Sequence, residues 1–297
     1  MPKFCIGTDD FKRFINDKGY FVDKSLLIKE VINGSITTLL PRPRRFGKTL
    51  NMSMLRYFFE KSDTNYTSLF DGLGITKEPE FARHCGQYPV IYMTLKDIKA
   101  TDWDGVIVHL KDKLRSLFLQ FNYITEIMDD IDKNEFEQIC SKTADINTLK
   151  LSLKKLISYL YTYHQKPVVV LIDEYDSPII ESWKNDYYDD MIDFMRNWLG
   201  SALKHEDGNA LFRAVITGIL RIAKESIFSG LNHITVSSML KVGPFADKFG
   251  FTQTDLDQTL EDFKLTELSD DMREWYNGYK FGGHTIYNPW SVINCIN

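Results

Sequence analysis

The sequence predicts an α/β protein built on a parallel β-sheet, and two observations carry this prediction. First, short apolar runs alternate with amphipathic segments from about residue 36 to residue 240, the order that parallel strands and crossover helices require. Second, the run "VVVLI" at 168–172 is apolar without interruption and stands between a proline and acidic residues. A strand buried on both faces has this composition, so we expect helices on both faces of the sheet.

The bulk composition narrows the class of protein. The chain has 297 residues, 43% of them hydrophobic, and a formal net charge of -5. This length fits one α/β domain with an appended part. The negative charge excludes a basic surface over the whole molecule but leaves room for a local basic face. Four dispersed cysteines, a charged amino end and the lack of long apolar runs predict a cytoplasmic protein without membrane contact.

The predicted elements follow from local patterns. A helix within residues 23–34, capped by Asp23 or Ser25, precedes a strand at 36–41. Next come a helix from residue 48, a strand at 88–95, helices at 103–129 and 146–164, the strand at 168–172, a helix at 187–204, and strands at 210–219 and 233–239. We assign residues 1–245 to the main domain. Residues 246–297, polar and helical in pattern, form the predicted lid-like helical part, and we expect "YNGYKFGG" to be an aromatic turn that packs this part on the core.

The stretch "LLPRPRRFGKTL" at 39–50 predicts a phosphate-binding loop between the first strand and a helix. Such a loop surrounds phosphate groups with backbone N–H groups and a helix N-terminus. Lys48 has the position that reaches the β- and γ-phosphates, and the hydroxyl of Thr49 has the position that binds Mg²⁺. The predicted nucleotide-binding residues are consecutive: Arg42, Pro43, Arg44, Arg45, Phe46, Gly47, Lys48, Thr49 and Leu50.

The loop departs from the pattern G-x-x-x-x-G-K-[ST] at its first position, where Arg42 replaces glycine. Pro43 restricts the preceding residue to extended backbone with negative φ, a conformation that does not require glycine. An extended entry into the loop is therefore compatible with nucleotide binding. The arginines at 42, 44 and 45 either contact phosphates, pair with an acidic element, bind nucleic acid or form a solvated basic loop.

Acidic residues follow the strand at 168–172. In enzymes with a phosphate-binding loop, a carboxylate at the end of a neighbouring strand holds Mg²⁺ through water, and Asp173 has this position. Glu174 is suited to orient and polarise the attacking water. The structural alternative is that this acidic strand end caps the next helix or lies in solvent. Asp176 either adds to this acidic cluster or caps the turn at Ser177-Pro178, and we favour the capping role.

A polar residue ends the strand at 210–219. Thr217 has the position of a γ-phosphate sensor, with ordinary turn chemistry at Thr217-Gly218 as the equal alternative. Arg221 and Lys224 follow, and each is either a charge-stabilising finger, in cis or from another subunit, or a solvated surface residue. The predicted catalytic residues are Lys48, Glu174, Thr217 and Arg221.

Four motifs, "PRPRRFGKTL", "LIDEYDSPI", "TGILRIAKESIFSGLN" and "WYNGYKFGG-TIYNPWSV", together resemble the AAA-ATPase-like family over nearly the whole chain. Its members are similar to archaeal-type ATPases, whose loop reads G-P-R-R-x-G-K-T, with glycine where Arg42 stands here. The resemblance implies a P-loop NTPase fold of the additional-strand type, strand order 5-1-4-3-2, and ATP rather than GTP. It also implies a C-terminal restriction-endonuclease-like nuclease domain in many members, although residues 1–297 show no nuclease motif in strand context.

The sequence therefore predicts a Mg²⁺-dependent ATPase that couples hydrolysis to a conformational change or to an attached effector. The alternative is a nucleotide-binding regulatory or scaffold module with little or no hydrolysis. A third interpretation is an ATPase that binds nucleic acid through Arg42, Arg44, Arg45 and Arg56. Oligomers are compatible with each of these.

Overall fold

The computed structural model describes residues 3–204, 208–220, 227–228, 234–276 and 278–296. The chain divides into two compact units. We call them the loop unit (Met1–Gly34, Leu40–Gln87 and Val236–Asn297) and the sheet unit (Ser35–Leu39 and Tyr88–Thr235). The domain boundary at residue 245 stays a prediction. Across the described ranges, no helix combines the length and the apolar character needed to cross a membrane.

The secondary structure alternates as the sequence predicted. The α-helices are α1 (Phe11–Asn16), α2 (Leu26–Asn33), α3 (Lys48–Phe59), α4 (Pro79–His84), α5 (Trp103–Gln120), α6 (Asp130–Cys140), α7 (Ile146–His164), α8 (Ser177–Lys184), α9 (Tyr188–Leu203), α10 (Gln253–Asp262), α11 (Ser269–Tyr276) and α12 (Pro289–Ile296). The strands are β1 (Thr37–Pro41), β2 (Val90–Thr94), β3 (Val168–Asp173), β4 (Leu211–Gly218), β5 (Ile234–Val236), β6 (Phe251–Thr252), β7 (Tyr279–Phe281) and β8 (His284–Tyr287). Short 3₁₀ helices lie at Thr67–Phe70, Gly74–Lys77, Asn122–Ile127 and Thr266–Leu268.

The larger sheet is five-stranded, with the order β2-β3-β4-β1-β5. Read from the other edge this is 5-1-4-3-2, which confirms the order that the family resemblance implied. β3 pairs in parallel with β2 and with β4, and Ile172 lies opposite Ile216. Every residue of β3 is buried, as the uninterrupted apolar run predicted, so both faces of the sheet are covered at its centre.

The helices of the sheet unit follow their apolar stripes. α7 has the predicted bounds, and its N-terminus is capped by Asp145, whose carboxylate accepts the N–H of Thr148. α7 packs on α9, where the indole N–H of Trp198 donates to the hydroxyl of Ser152 at 3.0 Å. The helix predicted at 103–129 is too long, because α5 ends at Gln120 and a 3₁₀ helix follows.

The loop unit contains a second sheet that the sequence analysis missed. β6, β8 and β7 form a three-stranded antiparallel sheet, so the segment after residue 246 combines the helices α10, α11 and α12 with strands that were not predicted. β7 and β8 are joined by Gly282 and Gly283, whose φ values of 51° and 89° suit a tight hairpin turn. With three and four residues, these strands are too short to show a period-two pattern.

The core of the C-terminal part of the loop unit lies between these strands and α10, α11 and α12. Its buried side chains are apolar: Phe251, Leu256, Leu260, Met272, Tyr287 and Val292. Nearer the amino end, Ser25 precedes α2 but makes no side-chain cap. Its hydroxyl instead accepts the N–H of Ile75 at 3.1 Å, and Asp23 accepts the N–H of Gly74 at 2.6 Å. The predicted cap is therefore replaced by contacts with the 3₁₀ helix Gly74–Lys77.

Gly250 provides a test of the packing in the loop unit. Its φ is +77°, and a Cβ atom there would lie 2.8 Å from Phe46 Cδ1 and 2.9 Å from the carbonyl oxygen of Tyr287. We expect Gly250→Ala to lower the free energy of unfolding by about 2–4 kcal/mol, because backbone strain and overlap act together. Gly72→Ala is the matched control, since Gly72 has φ +80° and no atom within 4 Å, and should cost about 1 kcal/mol. Urea unfolding measures both, and equal losses would contradict the close packing.

Candidate functional site

The predicted phosphate-binding loop joins β1 to α3 in the loop unit. Arg42 is not among the residues with positive φ, as the proline after it predicts, whereas Arg45 and Gly47 have φ values of 67° and 77°. Gly47 directly precedes α3, whose first turn leaves backbone N–H groups without partners inside the helix. Left-handed residues before a helix N-terminus form a concave surface suited to an anion.

Lys48 is the first residue of α3, and the loop folds around its ammonium group. Its Nζ donates to the carbonyl oxygens of Arg42 at 3.1 Å and of Pro43 at 2.9 Å. The side chain is only 7% exposed. Thr49 and Leu50 follow as the second and third residues of the helix, and both are half-buried.

Arg42 is the residue for which the sequence expectation changes most. Its side chain has no solvent exposure, so a solvated Arg42 is excluded. Nη1 donates to the carbonyl oxygens of Pro41 at 2.9 Å and Ser237 at 2.8 Å, and Nη2 donates to that of Phe245 at 2.9 Å. The guanidinium therefore binds the protein's own backbone in this structure.

Aromatic rings complete the surroundings of this guanidinium. It lies 5.1 Å from the ring centroid of Phe249 and 5.8 Å from that of Phe281, distances typical of cation–π contacts. Burial lowers the pKa of Arg42 to about 10, which leaves the group charged at neutral pH. Among its described contacts there is no carboxylate, and its Nε is buried without a hydrogen-bond partner.

Other loop residues contact the same C-terminal segment. Phe46 is 1% exposed, and its ring lies 5.1 Å from that of Tyr279 and 5.4 Å from that of Phe281. Tyr279 and Phe281 of the predicted aromatic turn therefore pack on the loop residue Phe46, and the packing of this turn on the core stays a prediction. Arg44 and Arg45 are exposed, as a basic loop predicts, and the guanidinium of Arg45 lies 4.0 Å from the ring centroid of Trp290.

The sheet unit carries the predicted acidic residues at the end of β3. Asp173 is 1% exposed, and its Oδ1 accepts the hydroxyl proton of Thr217 and, at 2.9 Å, the N–H of Glu174. Thr217 lies at the end of the neighbouring strand β4, as expected, and is fully buried. Its hydroxyl binds Asp173, so the sequence alternative of an ordinary turn does not describe it.

Glu174 has a left-handed backbone, with φ 51°. This conformation is uncommon for a residue with a Cβ and is found disproportionately at functional sites. One carboxylate oxygen, Oε2, accepts the hydroxyl proton of Ser177 at 3.2 Å. Ser177 is the first residue of α8 and was not singled out from the sequence.

Asp176 has a different role from the predicted helix cap. It makes no side-chain cap for α8. Its Oδ2 instead accepts the backbone N–H groups of Ile219 at 2.8 Å and Leu220 at 2.7 Å, and the carboxylate is 1% exposed. A Cβ at Gly218 would lie 2.5 Å from Asp176 Oδ1. The glycine after Thr217 is the sequence signal for this close approach.

The structure thus brings Asp173, Glu174 and Thr217 together within the sheet unit, and residues 42–50 together within the loop unit. Arg221 and Lys224 lie outside the described residues. Over the described ranges, no group of three or more His, Cys, Asp or Glu side chains is arranged to hold a metal ion. The Thr49 hydroxyl and the Asp173 carboxylate are hard oxygen donors, which fit Mg²⁺, an ion that usually keeps water and phosphate ligands.

A five-stranded sheet of this order, with a Gly-Lys-Thr loop after β1 and an acidic end on β3, defines a P-loop-like α/β fold. A family model described as "Predicted AAA-ATPase" matches residues 5–228. The chain belongs to this AAA-ATPase-like family.

The chain was also compared with curated proteins and with solved structures. The chain is 29% identical over 299 residues to an "Uncharacterized protein in vnfD 5'region" of Azotobacter chroococcum mcd 1, an alignment that covers 98% of this chain and 51% of that protein. The chain therefore spans about half the length of this relative. No solved structure matches.

The Asp176 contacts predict a graded effect of mutation. Asp176→Ala removes the acceptor of two partly buried N–H groups, and we expect it to lower the free energy of unfolding by about 1–3 kcal/mol. Asp176→Asn keeps one oxygen in place and should cost less than half as much. Thermal unfolding of both variants measures the difference. Equal losses would contradict an acceptor role for the carboxylate.

Proposed function

We propose that this protein binds ATP with Mg²⁺ and hydrolyses the nucleotide to ADP and phosphate. Membership of the AAA-ATPase-like family indicates ATP binding. The observation that supports the proposal most directly is the loop around Lys48. A charged amine on carbonyl oxygens at the start of a 12-residue helix is ready to exchange those carbonyls for phosphate oxygens.

In this proposal different loop residues contribute different interactions with a bound polyphosphate. The backbone N–H groups from Arg45 to Thr49 supply neutral donors, and the Lys48 ammonium supplies charge. Arg44 and Arg45 are exposed and add positive potential at the loop. Arg42 contributes through its backbone and its buried charge, since its guanidinium binds Ser237 and Phe245.

The sheet-unit residues carry the proposed chemistry of hydrolysis. Asp173 and the Thr49 hydroxyl would hold Mg²⁺, which when bound neutralises phosphate charge. Glu174 orients the attacking water and accepts its proton. Thr217 holds the Asp173 carboxylate through its hydroxyl, which fixes the orientation of that carboxylate. In this proposal Thr217 also senses the γ-phosphate, and Arg221 stabilises the negative charge that develops during hydrolysis.

One observation favours the alternative of a nucleotide-binding module with little hydrolysis. The Glu174 carboxylate accepts a hydrogen bond from Ser177, so it must leave that contact or share it before it polarises water. A third interpretation, the nucleic-acid patch, loses two of its four arginines, because Arg42 is buried and Arg56 pairs with Glu60 at 3.3 Å.

The use of the hydrolysis energy is part of the same proposal. We propose that nucleotide turnover drives a conformational change that controls an attached effector or a partner protein in the cytoplasm. An oligomer would allow a finger from another subunit to complete the site.

Substitution of Lys48 tests nucleotide binding. We expect Lys48→Ala to weaken ATP binding by about 10- to 100-fold, because a charge-assisted contact to phosphate is worth about 1.5–3 kcal/mol. Titration calorimetry measures the affinity. Lys133→Ala, on the exposed face of α6, is the control for removal of a positive charge. Unchanged affinity in Lys48→Ala would contradict the proposed loop.

Substitution of Glu174 tests hydrolysis. We expect Glu174→Gln to retain ATP affinity and to release phosphate at least about 100-fold more slowly, since general-base catalysis contributes about 10²–10⁴-fold. Glu126→Gln, at an exposed position, controls for the loss of a negative charge. If wild type binds ATP but releases phosphate no faster than Glu174→Gln, the protein is the nucleotide-binding module and not an ATPase.

A further inference from the structure

We propose that Arg42 is a positioning residue for the nucleotide. Its buried side chain holds the phosphate-binding loop in shape and makes nucleotide binding depend on residues 237–287 of the loop unit. This inference rests on the proposed function, because it assigns a role within the same nucleotide-binding loop.

The side chain of Arg42 holds the first residues of the loop in place. Pro43 has no N–H group and cannot stabilise the turn by donation. The carbonyl groups of Arg42 and Pro43 nevertheless point at the Lys48 ammonium. The Arg42 guanidinium fixes this short segment, because its Nη1 binds the carbonyl of the preceding Pro41 and that of Ser237 together.

A guanidinium suits position 42 better than an ammonium group does. A planar group with several donors can satisfy carbonyl oxygens in different directions at once, which an ammonium on a flexible stem does less well. Here the described acceptors are the backbone oxygens of Pro41, Ser237 and Phe245, with the rings of Phe249 and Phe281 beside the group.

The positive charge of Arg42 also favours nucleotide binding. A buried cation is costly unless an opposite charge lies near it, and the described contacts of Arg42 include no carboxylate. A polyphosphate bound at the loop would supply this opposite charge through space. Nucleotide binding is then favoured by the buried Arg42 even though its guanidinium touches no phosphate.

Nucleotide binding at the loop is coupled to residues 245–250. The segment that holds Arg42 contacts the loop and α3 at two more places. Phe46 lies against Gly250, and the side-chain amide of Asn51 donates to the carbonyl oxygen of Lys248 at 3.0 Å. A change in the loop on nucleotide binding therefore acts on residues 245–250, and a change in those residues acts on nucleotide affinity, because coupling is reciprocal.

The variant Arg42→Gly separates two opposite expectations. It restores the glycine of the usual pattern, so a loop that is merely a degraded glycine loop should bind ATP as well or better. If Arg42 positions the loop, ATP affinity falls by at least about tenfold, which corresponds to about 1.4 kcal/mol of binding free energy. Arg42→Lys keeps the charge without the planar group, and we expect at least about a fivefold loss.

A stability control shows whether the effect is merely structural. Leu149→Ala removes a fully buried side chain from α7 in the sheet unit and should lower the melting temperature as Arg42→Gly does, but it should leave ATP affinity unchanged. Hydrogen exchange supplies a second readout. ATP should slow amide exchange at residues 245–250 and 279–287 in wild type, and saturating ATP should not do so in Arg42→Gly.

The outcomes distinguish this inference from the proposed function. If wild type does not bind ATP, both are wrong. If wild type binds ATP and Arg42→Gly binds it within about twofold of wild type, only the role of Arg42 is wrong. If Arg42→Gly does not fold, wild-type affinity in Arg42→Lys overturns the inference in the same way. Loss of affinity in Leu149→Ala equal to that in Arg42→Gly, or no ATP-dependent protection in wild type, also overturns it.

Discussion

The buried guanidinium of Arg42 is the constraint on which the rest of the loop unit depends. A charge inside a protein persists only where donors and acceptors are matched around it. Here backbone carbonyl groups from residues far along the chain accept from the two terminal nitrogens, aromatic rings lie beside the group, and Nε has no hydrogen-bond partner. The C-terminal segment must therefore fold with the loop. Phe249 and Phe281 lie beside this cation, and Phe281 and Gly250 lie beside the neighbouring Phe46.

The sheet unit contains buried acidic side chains, which also require hydrogen-bond partners. Asp173 and Asp176 are both buried, and each carboxylate accepts donors from its own turn or from the end of β4. Hydrogen bonds to these carboxylates compensate part of the cost of their burial. The two aspartates thus lock the ends of β3 and β4 together. Glu174 stands between them in the sequence, half-buried and with a left-handed backbone conformation, which supports its proposed role in hydrolysis.

Much of this could be predicted from the sequence, and the failures have physical causes. The uninterrupted apolar run of β3 and the 3.6-residue periodicity of α7 gave their positions, because both patterns are local. The side-chain direction of Arg42 was not local: its partners lie about 200 positions away, and no short-range pattern specifies them. The same holds for Asp176, whose acceptor role depends on the register of β3 and β4. Strands β7 and β8 were missed because they are too short for a period to appear.

In the proposed function this loop binds nucleotide in a shape that is held by Arg42 instead of by a first glycine. A crystal structure with a non-hydrolysable ATP analogue and Mg²⁺ tests it most directly. We expect Lys48 Nζ within hydrogen-bonding distance of a phosphate oxygen, and Arg42 still bound to the carbonyl oxygens of Ser237 and Phe245. A nucleotide contacted by the Arg42 guanidinium, or a loop that binds no nucleotide, would contradict the claim.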